Sequence, residues 1–68
     1  MKTHHDKLGK TIRYLREERR LLQRELADRV GIPVRTLGRS ERGEVDLRLS
    51  TLRKIAQALG VAMRGLLS

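Results

Sequence analysis

The sequence predicts an all-α fold, a compact bundle of four or five short helices in a single domain. Apolar residues recur at helical spacing through most of the chain, and no segment shows the alternation typical of a strand. Glycines follow the periodic segments, as they commonly follow helix C-termini. The 68 residues include no cysteine, so we expect one small domain without disulfides. Residues 1–6 are expected to form a flexible N-terminal arm and residues 7–68 the domain.

The first helix is predicted over about residues 6–19. Leu8, Ile12 and Leu15 recur at the i, i+4, i+7 spacing that places side chains on one face of a helix. Asp6 precedes this stripe and is the expected N-cap, because a carboxylate there accepts a hydrogen bond from a free backbone N–H.

Two short helices separated by a tight turn are predicted over residues 23–30 and 33–42. Gly31 follows the first helix, at the position where a helix often ends with a positive φ. Pro33 suits the first turn of the second helix, because its missing N–H is not needed there. Two helices joined by a short glycine-containing turn have the proportions of a DNA-binding helix-turn-helix, here at about residues 23–42.

The C-terminal part is predicted to contain one more helix and a final short one. A loop over residues 44–49 precedes Ser50, the expected N-cap of a helix over residues 51–59. Gly60 ends that helix, and residues 62–67 have room for about one and a half further turns. The predicted inner stripe of the longer helix consists of Leu52, Ile55, Ala56 and Leu59.

The charge of the chain favours an anionic partner. Lys and Arg total 16 against 8 Asp and Glu, a formal net charge of +8, and such a surface attracts nucleic acid. An enzyme is disfavoured because His4 and His5 are adjacent in a polar segment and no nucleophile has a plausible base. No apolar run reaches the roughly 18 residues of a membrane span, and the chain start lacks a signal-peptide pattern. We therefore expect a cytoplasmic protein with no membrane partner, no cofactor and no metal site.

The helix predicted over residues 33–42 has a cationic face. At about 100° per residue from Val34, Arg42 falls at about 80° and Arg35 at about 100°. Arg39 follows at about 140°, whereas Leu37 lies at about 300°, on the other side. An α-helix fits the major groove of B-DNA, where arginine donates two hydrogen bonds to guanine. This face predicts base reading; a solvated arginine face is the alternative.

Four segments that align without gaps carry a family resemblance: LREERRLLQRELADRVGI at 15–32, TL at 36–37, ERG at 41–43 and LRKIAQALGV at 52–61. Together they resemble the Xre/Cro family of phage-repressor-type helix-turn-helix regulators, and the match covers about residues 8–67. The resemblance implies five helices, with the second and third forming the helix-turn-helix, and dimeric binding to palindromic operator DNA. We therefore expect a sequence-specific regulator of transcription that binds double-stranded DNA, with repression by occlusion as its simplest mode.

The resemblance also implies roles for individual residues. It places three side chains of the third helix against base edges: Val34, Arg35 and Arg39. It places phosphate contacts at Gln23, Thr36 and Arg42. By their charge and position, further candidate phosphate contacts are Arg48, Lys10 and Arg13.

Arg16 and Glu41 match a family ion pair that joins the first helix to the third. The helical phase supports this pair, because Glu41 points inward, where an unpaired carboxylate is costly. A solvated Glu41 is the alternative.

Several residues depart from the family pattern. The family usually has Gly where Arg20 lies, a capping Ser or Thr where Leu22 lies, and a large apolar residue where Ser40 lies. Pro33 and Ala62 likewise replace usual capping residues, and each lost cap costs roughly 1 kcal/mol. We therefore expect thin packing around the third helix and a low overall stability.

The apolar residues left over near the C-terminus form the candidate dimer surface: Val61, Met63, Leu66 and Leu67. An equal alternative is that Leu66 and Leu67 only close the core.

A different function, that of an antitoxin that binds a toxin and regulates its own operon, is compatible with the same family. A nonspecific RNA or DNA binder is disfavoured, because Tyr14 is the only aromatic residue available for stacking bases.

Overall fold

The computed structural model describes residues 4–67, and this range contains five α-helices. They are α1 (His4–Glu18), α2 (Gln23–Val30), α3 (Val34–Glu41), α4 (Leu49–Leu59) and α5 (Met63–Leu67). No strand occurs among these described residues, which confirms the all-α prediction. In the same range, none of the helices combines the length and the apolar character that crossing a membrane requires.

The core is aliphatic and receives side chains from all five helices. Ile12 of α1, Leu37 of α3 and Leu66 of α5 are each at most 1% exposed. The remaining core residues come from α2 (Leu26, Ala27, Val30) and from the predicted stripe of α4 (Leu52, Ile55, Ala56, Leu59). Burying one large aliphatic side chain stabilises the fold by about 1.5–3 kcal/mol. Contacts between helices therefore hold the domain together, since helices this short are marginal alone.

α1 begins earlier than predicted. It starts at His4, so residues 4–6 belong to the helix and not to the predicted flexible arm, whose residues 1–3 lie outside the described range. Asp6 therefore lies in the first turn and is not the N-cap. This position suits a carboxylate, because negative charge in the first turn interacts favourably with the positive end of the helix dipole. The helix ends at Glu18, one residue before the predicted end.

The turn after α1 places a non-glycine residue in the left-handed region. Arg20 has a φ of 55°, and this conformation costs an L-residue roughly 1–2 kcal/mol. The turn is closed by a hydrogen bond of 3.1 Å from the Leu21 N–H to the Arg16 carbonyl oxygen. Arg20 occupies the position where glycine is expected from the family pattern, so this departure has an identifiable conformational cost.

The predicted helix-turn-helix is present, with α3 one residue shorter at each end. Gly31 follows α2 with a φ of 83°, and its N–H donates to the Ala27 carbonyl oxygen at 2.8 Å. Pro33 is the N-cap residue and not part of the first turn, because its extended ψ of 142° keeps it outside the helix. α3 therefore begins at Val34 and ends at Glu41.

The starts of α4 and α5 also differ from the predictions. Arg48 is the N-cap of α4, which begins at Leu49, so Ser50 lies inside the first turn and is not the cap. The Leu52 N–H donates to the Arg48 carbonyl oxygen at 3.0 Å. This hydrogen bond closes the first turn of α4, so the helix begins two residues earlier than it would with Ser50 as its N-cap. α5 begins at Met63, one residue later than predicted.

α1 and α3 approach each other closely at Gly9 and Ser40. A Cβ atom on Gly9 would collide with the backbone oxygen of Ser40 and would lie 2.7 Å from that of Glu41. Ser40 is buried, and its hydroxyl donates to the Leu37 carbonyl oxygen at 2.8 Å. The expectation of thin packing at Ser40 is therefore wrong: the missing side chain of Gly9 lets the α1 backbone itself fill the space beside α3.

Candidate nucleic-acid interface

α3 presents one face to the core and the opposite face to solvent. The inner face buries Leu37, Gly38, Ser40 and Glu41. The outer face exposes the three residues predicted to read bases: Val34, Arg35 and Arg39. Arg42, directly after the helix, is exposed as well. The helical spacing thus correctly predicted an exposed cationic face on a helix whose other side is anchored.

A buried ion pair anchors α3 to α1. Arg16 Nε donates to Glu41 Oε2 at 2.7 Å, and Arg16 Nη2 donates to Glu41 Oε1 at 3.1 Å. The two side chains are only 10% and 2% exposed. The hydrogen bond that Arg16 donates to Glu41 raises the pKa of Arg16 above its ordinary value, against the opposing effect of burial. The predicted pair is confirmed, and the alternative of a solvated Glu41 is wrong.

Gln23 is a third member of this cluster. Its Nε2 donates to Glu41 Oε1 at 3.0 Å, so one carboxylate receives hydrogen bonds from α1 and from the first residue of α2. Arg16 Nη1 also donates to the Leu21 carbonyl oxygen at 2.7 Å, in the segment that leads into α2. In the part of the chain that the structure describes, no buried side-chain nitrogen or oxygen lacks a partner. We name the Arg16–Gln23–Glu41 cluster the carboxylate junction.

The sequence predicted that Gln23 contacts a DNA phosphate, but it did not predict the hydrogen bond from Gln23 to Glu41. The two residues are separated by 18 positions, and no local spacing rule relates them. The only available signal was indirect: the helical phase pointed Glu41 inward, and a buried carboxylate needs more than one donor.

The start of α2 retains part of a cap despite the apolar residue at Leu22. The Leu22 side chain accepts no hydrogen bond, but its backbone N–H donates to Glu25 Oε1 at 2.8 Å. This is the return half of a capping box, in which the third helical residue reaches back to the N-cap. The N–H groups of the first turn of α2 therefore lack a side-chain cap, which suits a contact with an anion.

A second ion cluster lies at the exposed C-terminal end of α3. Glu44 Oε2 accepts a hydrogen bond from Arg42 Nε at 2.9 Å, and Glu44 Oε1 accepts one from Arg42 Nη2 at 3.4 Å. Arg39 Nε lies 3.6 Å from the same Glu44 Oε1. The hydrogen bond from Arg42, with the positive charges of Arg42 and Arg39, lowers the pKa of Glu44 below its ordinary value. The sequence did not predict this cluster, because Glu44 reaches back only through the turn at Gly43, whose φ is 76°.

The other predicted phosphate contacts lie on separate elements. Thr36 is half-buried on α3, and Arg48 is exposed at the start of α4. Lys10 and Arg13 are exposed on α1, where Arg13 forms an ion pair of 3.3 Å with Glu17.

The candidate dimer residues divide into buried and exposed ones. Leu66 is 1% exposed and belongs to the core, so it offers no surface to a second copy. Leu67 is 55% exposed. Val61 and Met63 are half-buried and pack against the core. The predicted dimer surface is therefore reduced by one residue, because α5 turns Leu66 towards α1 and α4.

Comparisons with known proteins agree with this geometry. The restriction-modification controller protein C.AhdI from Aeromonas hydrophila is 34% identical, with 91% of this chain and 94% of that chain covered and a TM-score of 0.89. The hypothetical transcription factor NHTF from Neisseria is 32% identical, with 97% and 76% covered and a TM-score of 0.91. The clp gene regulator ClgR from Corynebacterium glutamicum is 26% identical, with 96% and 69% covered and a TM-score of 0.93. None of the curated protein sequences compared with the chain matches it significantly.

The helix-turn-helix family provides the match that decides the classification. Its family model matches residues 12–66, a range that contains α2, the turn, α3 and α4 and reaches into α1 and α5. The solved structures above share the whole fold and are named as regulators or as a transcription factor. Because the match extends over most of the chain and includes the exposed arginine helix, the chain belongs to the helix-turn-helix family of DNA-binding transcription regulators, of the Xre and lambda-repressor type.

Proposed function

We propose that this protein is a repressor that binds a palindromic operator as a homodimer, with α3 of each copy in the major groove. The observation that carries the proposal is the exposed arginine face of α3. Arg35 and Arg39 extend from a helix whose opposite side is fixed by Leu37 and by the carboxylate junction. A fixed helix can present its side chains to base edges in one register, which sequence-specific reading requires.

The base contacts come from three neighbouring positions on this face. Arg35 and Arg39 donate to the O6 and N7 atoms of guanine, because the arginine fork matches that pair of acceptors. Val34 is 44% exposed and supplies an apolar contact to a thymine methyl group.

Phosphate contacts fix the position of the domain on the duplex. The candidate residues are Gln23, Thr36, Arg42 and Arg48. Since Nε2 of Gln23 already donates one hydrogen bond to Glu41, its phosphate contact uses the second amide proton. The open N–H groups at the start of α2 add to this site. These contacts carry affinity and no sequence preference.

A dimer follows from the size of the domain. A single domain of 68 residues covers little DNA, and two half-sites about one helical turn apart double the contact. Leu67 is the exposed apolar residue of the C-terminal segment, and Val61 and Met63 flank it with half-buried surface. A dimer bound to its operator regulates most simply by blocking access to the DNA it covers.

Selection of bound DNA from a random duplex pool tests the proposal. We expect a palindromic site with half-sites about 10 base pairs apart and guanines within each half. Arg39→Ala should weaken binding to the selected site by about 1–3 kcal/mol and relax preference at one base pair. Arg29→Ala is the matched control, because Arg29 is exposed in the last turn of α2, where it borders a surface pocket with Gln57 and Gly60 at the end of α4.

Two results would overturn the proposal. If no sequence is enriched from the pool, the protein does not read bases. If Arg39→Ala and Arg29→Ala weaken binding equally on every duplex, the face of α3 has no special role.

A further inference from the structure

Glu44 lies between two of the arginines that the proposed function places on DNA. Its carboxylate bonds to two nitrogens of Arg42, at 2.9 and 3.4 Å, and lies 3.6 Å from Arg39 Nε. The Nε and Nη2 donors of Arg42 form the edge with which an arginine binds a phosphate or a carboxylate in bidentate fashion. In the free protein, this edge of Arg42 is therefore already occupied by an anion of the same chain.

The ion pair between Arg42 and Glu44 is weak enough for another anion to displace it. The side chains of Arg42 and Glu44 are 57% and 47% exposed, so water screens the attraction between them. An exposed pair of this kind shifts an equilibrium constant by about 1.5- to 5-fold. A glutamate carboxylate is charged at neutral pH, and the two arginines lower the pKa of Glu44 further, so the pair is present when the protein meets DNA.

We propose that Glu44 is an internal competitor of DNA for Arg42 and thereby sets the affinity of the protein for duplexes in general. This inference rests on the proposed function, since it assumes that Arg42 contacts a phosphate. A phosphate must displace the Glu44 carboxylate from Arg42 before it takes the same donors. Since phosphates are the same in every sequence, the competition for Arg42 lowers affinity for all duplexes equally. The 3.6 Å approach to Arg39 is longer than a hydrogen bond and is the weaker contact, so base preference changes little.

The experiment compares Glu44→Gln with Asp28→Asn in the full chain. Both variants remove one negative charge, and Asp28 is exposed on α2, outside the cluster with Arg42. Binding is measured by fluorescence anisotropy, as a function of salt, on the selected operator and on an unrelated duplex. Urea unfolding of each variant checks that the fold is retained.

We expect Glu44→Gln to tighten binding by about 2- to 5-fold on both duplexes, by the same factor on each. The slope of log affinity against log salt should become steeper by up to about 0.9, the value for one further phosphate neutralised. Asp28→Asn should change affinity less than about 1.5-fold. In an Arg42→Ala background, the gain from Glu44→Gln should be much smaller, because the two hydrogen bonds to Arg42 are gone and only the 3.6 Å contact with Arg39 remains.

Several outcomes overturn the inference alone. They are a gain no larger than that of Asp28→Asn, a gain that is undiminished in the Arg42→Ala background, and weaker binding by Glu44→Gln, which would mean that Glu44 positions the arginine for DNA. A wild-type protein whose weak binding does not respond to salt refutes DNA binding itself, and the competitor role then falls with it.

Discussion

Removing the carboxylate of Glu41 should be the most damaging single truncation at the carboxylate junction. Glu41→Ala leaves two donors of the Arg16 guanidinium and one of the Gln23 amide without their partner. The Arg16 side chain is 10% exposed, so its charge would remain largely buried and only partly satisfied, by the Leu21 carbonyl oxygen. Breaking a buried pair by removing one member costs about 3–5 kcal/mol.

This cost is comparable with the whole stability of the domain. At about 0.05–0.15 kcal/mol per residue, a chain of 68 residues has a free energy of unfolding of roughly 3–10 kcal/mol. We therefore expect Glu41→Ala to lose at least about 30% of that stability. The assay is urea unfolding followed by circular dichroism at 222 nm, with the unfolding free energy obtained by linear extrapolation.

Two further variants make the result interpretable. Glu18→Ala is the matched control on α1: Glu18 is 52% exposed and lies outside the carboxylate junction, so losing its contacts with Tyr14 and Arg19 should cost no more than about 1 kcal/mol. Arg16→Met combined with Glu41→Leu removes both charges and fills the site with apolar atoms, so it should recover more than half of the loss. The reasoning is refuted if Glu41→Ala costs less than about 1 kcal/mol, or if the double variant is no more stable than the single one.

Three other predictions follow from local geometry. Gly9→Ala should lower the melting temperature, although alanine favours helix by about 1 kcal/mol, because the new Cβ atom would collide with the α3 backbone. Gly65→Ala should raise the melting temperature, because its Cβ atom would lie 3.6 Å from Val61 Cβ, an ordinary contact. Equal effects of the two variants would contradict the close approach of α1 and α3. Arg20→Gly should add up to about 1 kcal/mol of stability in urea unfolding, and a loss would show that the left-handed residue is not strained. The Glu44 carboxyl, followed by NMR, should titrate below its ordinary pKa and return towards it in Arg42→Ala. The stabilisation linked to the lowered pKa of Glu44 is fully present at pH values above the ordinary glutamate pKa, and it is lost as the pH falls through the lowered pKa. A Glu44 titration that is the same with and without Arg42 would exclude the ion cluster in solution.

The parts of the fold that the sequence predicted are those governed by local periodicity. The α4 stripe was found because apolar residues three and four positions apart must share a face. The end of α2 was found because Gly31 is one of the few residues that adopts a positive φ without strain. The helix starts were less well predicted: the N-cap of α4 is Arg48, whose side chain makes no capping hydrogen bond, whereas Ser50 gave a stronger but misleading signal.

The candidate site was predicted where helical phase and family resemblance pointed to the same residue. Both placed Glu41 inward and opposite Arg16, and the pair is present. The contacts of Gln23 and Glu44 depend on how α2 approaches α3 and on the path of the chain through Gly43. These are tertiary features with no fixed spacing in the sequence, so neither contact was predicted. The same holds for Gly9, whose importance appears only when the α3 backbone lies against it.

The two-sided character of α3 has a consequence for how such a protein diverges. Its inner residues are needed for folding, whereas Val34 and Arg35 on its outer side are exposed and contribute little to the core. If these outer positions read bases as proposed, substitutions there change which DNA is preferred at almost no cost in stability, since surface changes usually stay within about 0.5 kcal/mol. Duplicated copies of this gene would then acquire separate operators by exchanging a few exposed side chains, and the fold need not be rebuilt each time.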